Sequence, residues 1–283
     1  MISYPNCKIN FGLHVVKKRE DGYHDLETIF LPGPLHDTLE IVKSDSFQFS
    51  QVGIKIVGSI EDNLVVKAFR LMQRETGIGN VAIRLTKAIP FGAGLGGGSS
   101  DAAFTLRMLD ELFELRLERE KLIKMASHLG ADCAFFIDNV PAYATGIGNK
   151  LTPLGFNPIE GMKLRIEKPE GEAVSTAEAY RGVTPRERKT ENGERITENG
   201  ENPNATLGER TDYLRRTENG ENLVEAAKES PEMWKELIVN DFEASVFVNH
   251  PRIAKLKQRF YDEGAIYASM TGSGAAVFGI WKN

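Results

Sequence analysis

Pro90-Phe-Gly-Ala-Gly-Leu-Gly-Gly-Gly-Ser-Ser-Asp-Ala-Ala103 is the segment around which the rest of the chain can be organised. Five of the seven residues from Gly92 to Gly98 are glycine. The run passes through Ser99 and Ser100 into a helical pattern that carries Ala102, Ala103, Leu106, Leu109, Leu112 and Phe113 toward a core. Glycines let a backbone approach an anion closely and adopt positive φ, while the free N–H groups of a helix start point at it. Serine hydroxyls can cap the helix or reach a phosphate. A flexible linker rarely runs straight into an amphipathic helix. The segment therefore reads as a phosphate-binding loop.

Several better-known loops are excluded. There is no Gly-Lys-Ser/Thr, so this is not a Walker A sequence. Gly92, Gly94 and Gly97 match GxGxxG, but a dinucleotide fold wants an acidic strand end about 20 residues later. Asp110, Glu111 and Glu114 lie instead within the helical pattern. A GxSxG elbow fails because Asp101 follows Ser99 by two. HExxH is absent, and no two of the five histidines have metal-ligand spacing.

Working outward, Lys8 to Val15 alternates: Ile9, Phe11, Leu13 and Val15 face one way, and Lys8, Asn10, Gly12 and His14 the other. Period two predicts a strand with one buried and one polar face, with Lys8 and Asn10 about 7 Å apart along it. Asp21-Gly22 predicts a hairpin-type turn and Leu26–Phe30 the returning strand. Further strands are expected over Asp37–Val42, Phe47–Val57 and Val81–Lys87. Asp62-Asn63 should cap a helix with Leu64, Val65, Ala68, Leu71 and Met72 inside, stopped by Gly77. Another helix, Glu118–Leu129, closes on Gly130. Helical texture returns from Pro231 to Asp262, and a strand–turn–strand follows over Ile266–Trp281 around Thr271-Gly-Ser-Gly274. With no regular β-α-β alternation, the class is α+β.

The 283 residues suggest about two domains. Hydrophobic residues at 41% and charged ones at 27% are globular values. No window approaches the ~18 apolar residues of a membrane span, and Lys8, Asn10 and His14 interrupt what an export signal would need. Forty acidic against 35 basic residues give a net charge of -5, and the basic clusters are short, so neither nucleic acid nor a membrane is an expected partner. Cys7 and Cys133 form no CxxC and read as free thiols of a cytoplasmic protein. From about 184 to 222 the composition breaks, and Thr-Glu-Asn-Gly-Glu occurs at 190–194, 197–201 and 217–221. This segment reads as a flexible, solvated insertion.

The glycine segment resembles the phosphate loop of the GHMP small-molecule kinases. Lys8-Ile-Asn10, Asp21-Gly-Tyr-His24, Leu129-Gly-Ala-Asp132 and Thr271-Gly-Ser-Gly274 are similar to further motifs of that family, over most of the chain except 184–222. The resemblance implies a two-lobed fold: residues 1–150 as a ribosomal-protein-S5-like, ATP-binding lobe and 151–283 as a ferredoxin-like α/β lobe. It implies an ATP- and Mg2+-dependent kinase acting in the cleft between them. Asp-Gly-Tyr-His favours, within the family, phosphorylation of the 2-hydroxyl of a cytidyl-linked methylerythritol in non-mevalonate isoprenoid precursor biosynthesis. Asp132 would be the base and Lys8 its electrostatic partner. Pro90, Gly92, Ala93, Gly94, Leu95, Gly96, Gly97, Gly98, Ser99 and Ser100 would hold the phosphates, with Asp62, Asn63 and Lys87 at the adenosine. Asn10 and Thr176 would bind the alcohol end, Tyr23, His24 and Tyr180 the cytosine, and Gly272 and Ser273 would close the site. Cys7 departs from the small residue usual in the family.

Each assignment has a plainer reading beside it. Asp132 could cap the segment Cys133–Ile137, Lys8 could be an edge-strand charge, and Tyr180 a helix-face tyrosine. Asp101 would suit the helix dipole yet repel a nucleotide. A homoserine- or mevalonate-type kinase, a nicotinamide oxidoreductase, or an adaptor acting through its repeated pentapeptide are the competing functions. A monomer or weak homodimer is the expected state.

Overall fold

The computed structural model describes residues 1–54, 58–186 and 221–283. In the order of the chain the strands are β1 Ile2–Ser3, β2 Asn6–Lys18, β3 His24–His36, β4 Thr38–Lys43, β5 Gln48–Gly53, β6 Val81–Lys87, β7 Ala142–Thr145, β8 Lys150–Pro153, β9 Lys163–Glu167, β10 Tyr267–Met270 and β11 Val277–Trp281. The helices are α1 Leu64–Thr76, α2 Gly97–Leu112, α3 Arg119–Leu129, α4 Phe135–Asp138, α5 Thr176–Gly182, α6 Glu221–Lys228, α7 Trp234–Leu237, α8 Glu243–Asn249 and α9 Pro251–Asp262.

Among the described residues three sheets form, with orders β1-β4-β6-β5, β2-β3-β7-β8 and β10-β11-β9. Only the β5–β6 pair among them is parallel. The α+β class is as expected. One core lies between the first sheet and α1, α2, α3 and α4, where Phe69, Leu85, Leu106 and Phe136 are buried. A second joins β2 and β3 to β11, α6 and α7 through Phe11, Trp234, Tyr267 and Phe278. A third packs the last sheet on α5, α8 and α9. The chain passes to the last sheet after Pro153, since β8 still pairs with β7.

Several local expectations hold for the reasons given. Asn63 caps α1, its Oδ1 accepting from the Val65 N–H at 2.9 Å, and Gly77 ends it in the left-handed region. β10 and β11 pair antiparallel from Tyr267↔Ile280 to Met270↔Val277, on either side of the Thr271–Gly274 turn. The 231–262 segment is broken into short helical pieces.

Three expectations need correction. The polar face of β2 is not solvated: Lys8, Asn10 and His14 are each 5% exposed or less. The glycine loop covers this edge, where the Lys8 N–H donates to the Leu95 carbonyl at 2.9 Å. Farther along, Val239 and Asp241 bond to both sides of Leu13. A register shift at Gly12, with φ 76°, also breaks the alternation. Second, Ser99 and Ser100 do not cap α2. The helix begins at Gly97 and its N-cap is Gly96 in the left-handed region, with no side-chain cap. Third, the strand expected over 47–57 ends at Gly53, where a Cβ would overlap the Lys87 carbonyl. Residues 55–57 and 187–220, with nearly all of the expected insertion and its repeats, lie outside the described residues.

Candidate active site

Two clefts open on either side of the glycine loop and share Gly92, Gly94 and Gly96 as their common wall. The first, of about 320 Å3, is lined by Asp62, Asn63, Leu64, Lys87, Ile89 and the loop from Pro90 to Ser99, with Asp101. The second, of about 280 Å3, is lined by Lys8, Asn10, Asp132, Thr176, Tyr180, Gly272 and Ser273 together with Thr28, Phe30 and Gly148.

The loop shape follows from its glycines. Gly92, Gly94 and Gly96 have φ of 62°, 72° and 67°, a region costly for other residues. At Gly94 a Cβ would also overlap the Thr271 carbonyl oxygen, so the loop and the C-terminal glycine turn touch backbone to backbone. The Thr271 hydroxyl is buried between them, accepting from the Asn10 N–H at 3.0 Å and lying 3.3 Å from the Gly94 carbonyl oxygen.

Asp132 and Lys8 meet in the second cleft. The Lys8 ammonium stands 3.4 Å from Asp132 Oδ2, donates to Asn10 Oδ1 at 2.6 Å, and lies 4.7 Å from the Phe30 ring centroid. Lys8 is buried and Asp132 is about one-third exposed, so the carboxylate faces the cleft while its cation is held behind it. The N-cap reading of Asp132 does not hold: α4 starts after Ala134 and has no side-chain cap. Nor is Lys8 a surface charge. Asn10 Nδ2 donates to the Thr28 hydroxyl at 3.0 Å, and that hydroxyl donates to the Gly12 carbonyl at 2.5 Å, which fixes the amide orientation.

Thr176 opens α5, and its hydroxyl is 3.4 Å from that of Ser273. Ser175 caps this helix, accepting from the Glu178 N–H. Tyr180, on the same helix, stacks on His24 with centroids 4.6 Å apart and planes 25° from parallel, and Phe242 meets its ring edge-on at 4.9 Å. Burial, and then the Asp132 charge, pushes the Tyr180 hydroxyl up to about 12. Burial and the charge on Lys18 hold His24 below its ordinary value, toward the neutral imidazole. Tyr23 is 62% exposed, and neither it nor His24 lines the second cleft.

In the first cleft, Asn63 Nδ2 donates to Gln51 while its Oδ1 caps α1. Asp62 is exposed, and the Ser59 hydroxyl, which donates to it, holds its carboxyl below the usual range. Lys87 is buried and committed to Asp37 and Asp101. Ser100 is fully buried behind the loop. The sequence reading missed Asp37, Thr28, Phe30, Phe242 and Gly148. Of these only Gly148 carried a signal, in Gly146-Ile-Gly148, where a Cβ would lie 4.0 Å from Asp132 Oδ1. Cys7 and Cys133 are buried, and burial pushes each thiol up to about 11, as packing residues rather than reactive ones.

Comparison with known proteins gives a concordant picture. The family model for the GHMP kinases N terminal domain matches residues 63–146, and that for GHMP kinases C terminal matches 221–283. A 4-diphosphocytidyl-2-C-methyl-D-erythritol kinase of Bacteroides thetaiotaomicron is 43% identical over 286 residues, covering 100% of this chain and 92% of that protein. One of Parabacteroides distasonis is 44% identical, with the same coverage. A crystal structure of a 4-(cytidine 5'-diphospho)-2C-methyl-D-erythritol kinase aligns with TM-score 0.72 at 31% identity, over 99% of this chain and 90% of that one. The mevalonate kinase of Methanococcus jannaschii shares the fold, with TM-score 0.67 at 14% identity, over 100% and 90% of the two chains.

Proposed function

The chain belongs to the GHMP kinases, and from that premise we propose that it moves the γ-phosphoryl group of ATP to the 2-hydroxyl of 4-diphosphocytidyl-2-C-methyl-D-erythritol, with Asp132 as base beside Lys8. It is an ATP-dependent phosphotransferase with an alcohol acceptor, of the isoprenoid-precursor kinases. The observation that carries the residue assignment is the Lys8–Asp132 pair at 3.4 Å, in a cleft that the glycine loop also lines.

Mg2+ would accompany ATP as part of the substrate and would neutralise part of the phosphate charge. The loop N–H groups and the start of α2 receive the phosphates. The alcohol oxygen bonds to the γ-phosphorus as that phosphorus parts from the β,γ-bridging oxygen. ADP leaves, and the hydroxyl proton passes to an Asp132 carboxylate oxygen. Lys8 supports this by offsetting negative charge on the moving phosphoryl group. Asn10, locked by Thr28 and Thr271, keeps the ammonium in place.

At the other end, the stacked pair of Tyr180 and His24, with exposed Tyr23 close in sequence, would supply the aromatic surface and polar edge for cytosine. Thr176 and Ser273 flank the alcohol. Asp132→Asn tests the base. ATP affinity should stay within about threefold of the parent while turnover falls roughly 100- to 10,000-fold. Turnover near the parent value would remove Asp132 from the role.

A further inference from the structure

A second charged group lies beneath the phosphate loop, away from Lys8 and Asp132. Lys87 ends β6 with its ammonium buried between two carboxylates. It donates to Asp101 Oδ2 at 2.7 Å and to Asp37 Oδ2. Asp37 is fully buried, and its other oxygen accepts from the N–H groups of Ala88 at 2.6 Å and Ile89 at 2.8 Å, the residues that lead into the loop. Asp101 is the fifth residue of α2, is 2% exposed, and its Oδ1 is buried with no hydrogen-bond partner among the described residues. A Cβ on Gly97, the first residue of α2, would be 3.3 Å from the Lys87 ammonium. Both Lys87 and Asp101 line the nucleotide cleft.

One cation thus serves two carboxylates, which leaves an excess negative charge under the place where phosphates would arrive. In a dry, low-dielectric setting that excess opposes an incoming polyanion strongly. The two carboxylates are not equivalent. Asp37 accepts from two backbone N–H groups and from Lys87, whereas Asp101 accepts from Lys87 and keeps one oxygen without a donor. Among the described residues, the other charges near this cleft are engaged elsewhere: Asp62, before α1, is exposed, Lys8 on β2 is turned to Asp132 and Asn10, and Lys168, after β9, donates to the Phe91 carbonyl at 3.3 Å on the exposed side of the loop.

We propose that Asp101 takes up a proton from solvent when ATP binds, leaving Lys87 and Asp37 as a neutral pair under the loop and an uncharged Asp101 toward the phosphates. This deepens the nucleotide reading above and rests on it. Burial already pushes the Asp101 carboxyl up to about 7, the Asp37 charge adding to it against the pull of Lys87. A nearby polyanion moves it further in the same direction. Protonation then accompanies binding at pH values above 7, and nucleotide affinity falls as pH rises there.

The test is titration calorimetry at pH 8 with the magnesium complex of a β,γ-imido ATP analogue, in buffers of different ionisation enthalpy. For the parent protein we expect uptake of about half a proton or more per nucleotide, with affinity falling by up to about tenfold per pH unit. Asp101→Asn should show no such uptake and a flat pH dependence. It should also bind more tightly than the parent at pH 8.5, the reverse of what loss of a merely structural side chain would do. The same proton number in both proteins would overturn the proposal. So would proton release dependent on Asp101, which would mean that the side chain meets the metal instead. If the Asn variant does not fold, the parent alone decides: adenosine, lacking phosphates, should bind without uptake, and equal uptake with adenosine would overturn the inference. Absence of any nucleotide binding would defeat the ATP reading itself, whereas binding without uptake defeats only this inference.

Discussion

Lys8 is 4% exposed, on a strand face that simple alternation would leave in water, and its ammonium meets Asn10, Asp132 and the face of Phe30. Lys8→Met keeps most of the aliphatic stem and removes the charge. Turnover should fall about 100-fold or more with the fold intact, read as kcat alongside far-UV circular dichroism. Tyr180→Ala separates binding from chemistry: the Michaelis constant for the cytidyl substrate should rise about 5- to 100-fold, the range expected of one lost base–aromatic stack, while that for ATP stays put. At this scale the sequence is informative about residue type and spacing. The side-by-side placement of Lys8 and Asn10 is legible from period two. What meets them is not: Asp132, Thr271 and Gly94 arrive from three distant segments, and no local pattern encodes that convergence. Asp37 was unreadable for the same reason, being an isolated acid at a strand corner whose partners lie 50 to 52 residues on.

Among the elements, α5 brings Thr176 and Tyr180, a helical turn apart, to the second cleft. It is tied to the start of α9 by His250, whose Nδ1 is 2.7 Å from Glu172 and Nε2 3.0 Å from Glu178. Glu172, then Glu178, holds the imidazolium form above the ordinary histidine value despite some loss of hydration. A histidine favoured in its charged form stabilises the fold fully below the unfolded value of 6.5 and loses that contribution as pH rises through the higher folded value. The midpoint temperature of the parent should therefore drop relative to His250→Gln between pH 6 and 8.5. A constant gap between the two across that range would contradict the ion pairs. The phosphate loop is the other decisive element. Gly94→Ala places a side chain at φ 72° against the Thr271 carbonyl, and should cost about 2 kcal/mol or more of stability, measured by urea unfolding, together with nucleotide affinity. Element existence followed from the sequence at α1, α2 and the β10–β11 pair. The loop-to-helix junction did not, because a left-handed glycine took the N-cap position that serines ordinarily fill.

The whole molecule has a simple logic: two clefts share one wall of glycine backbone, and β2 presents Lys8 to the second of them. Two lobes and a cleft were legible only through motif resemblance. Composition and period indicate α+β and no more, because the three sheets are assembled from strands far apart in the chain, as β9 pairing with β11 illustrates. Among the described residues no helix is long and apolar enough to cross a membrane. The central claim is tested most directly by ADP release from the purified protein with ATP and Mg2+, comparing 4-diphosphocytidyl-2-C-methyl-D-erythritol with homoserine, mevalonate and no acceptor. Turnover with the cytidyl alcohol alone is the predicted result. Turnover with homoserine or mevalonate, and none with the cytidyl alcohol, would contradict it.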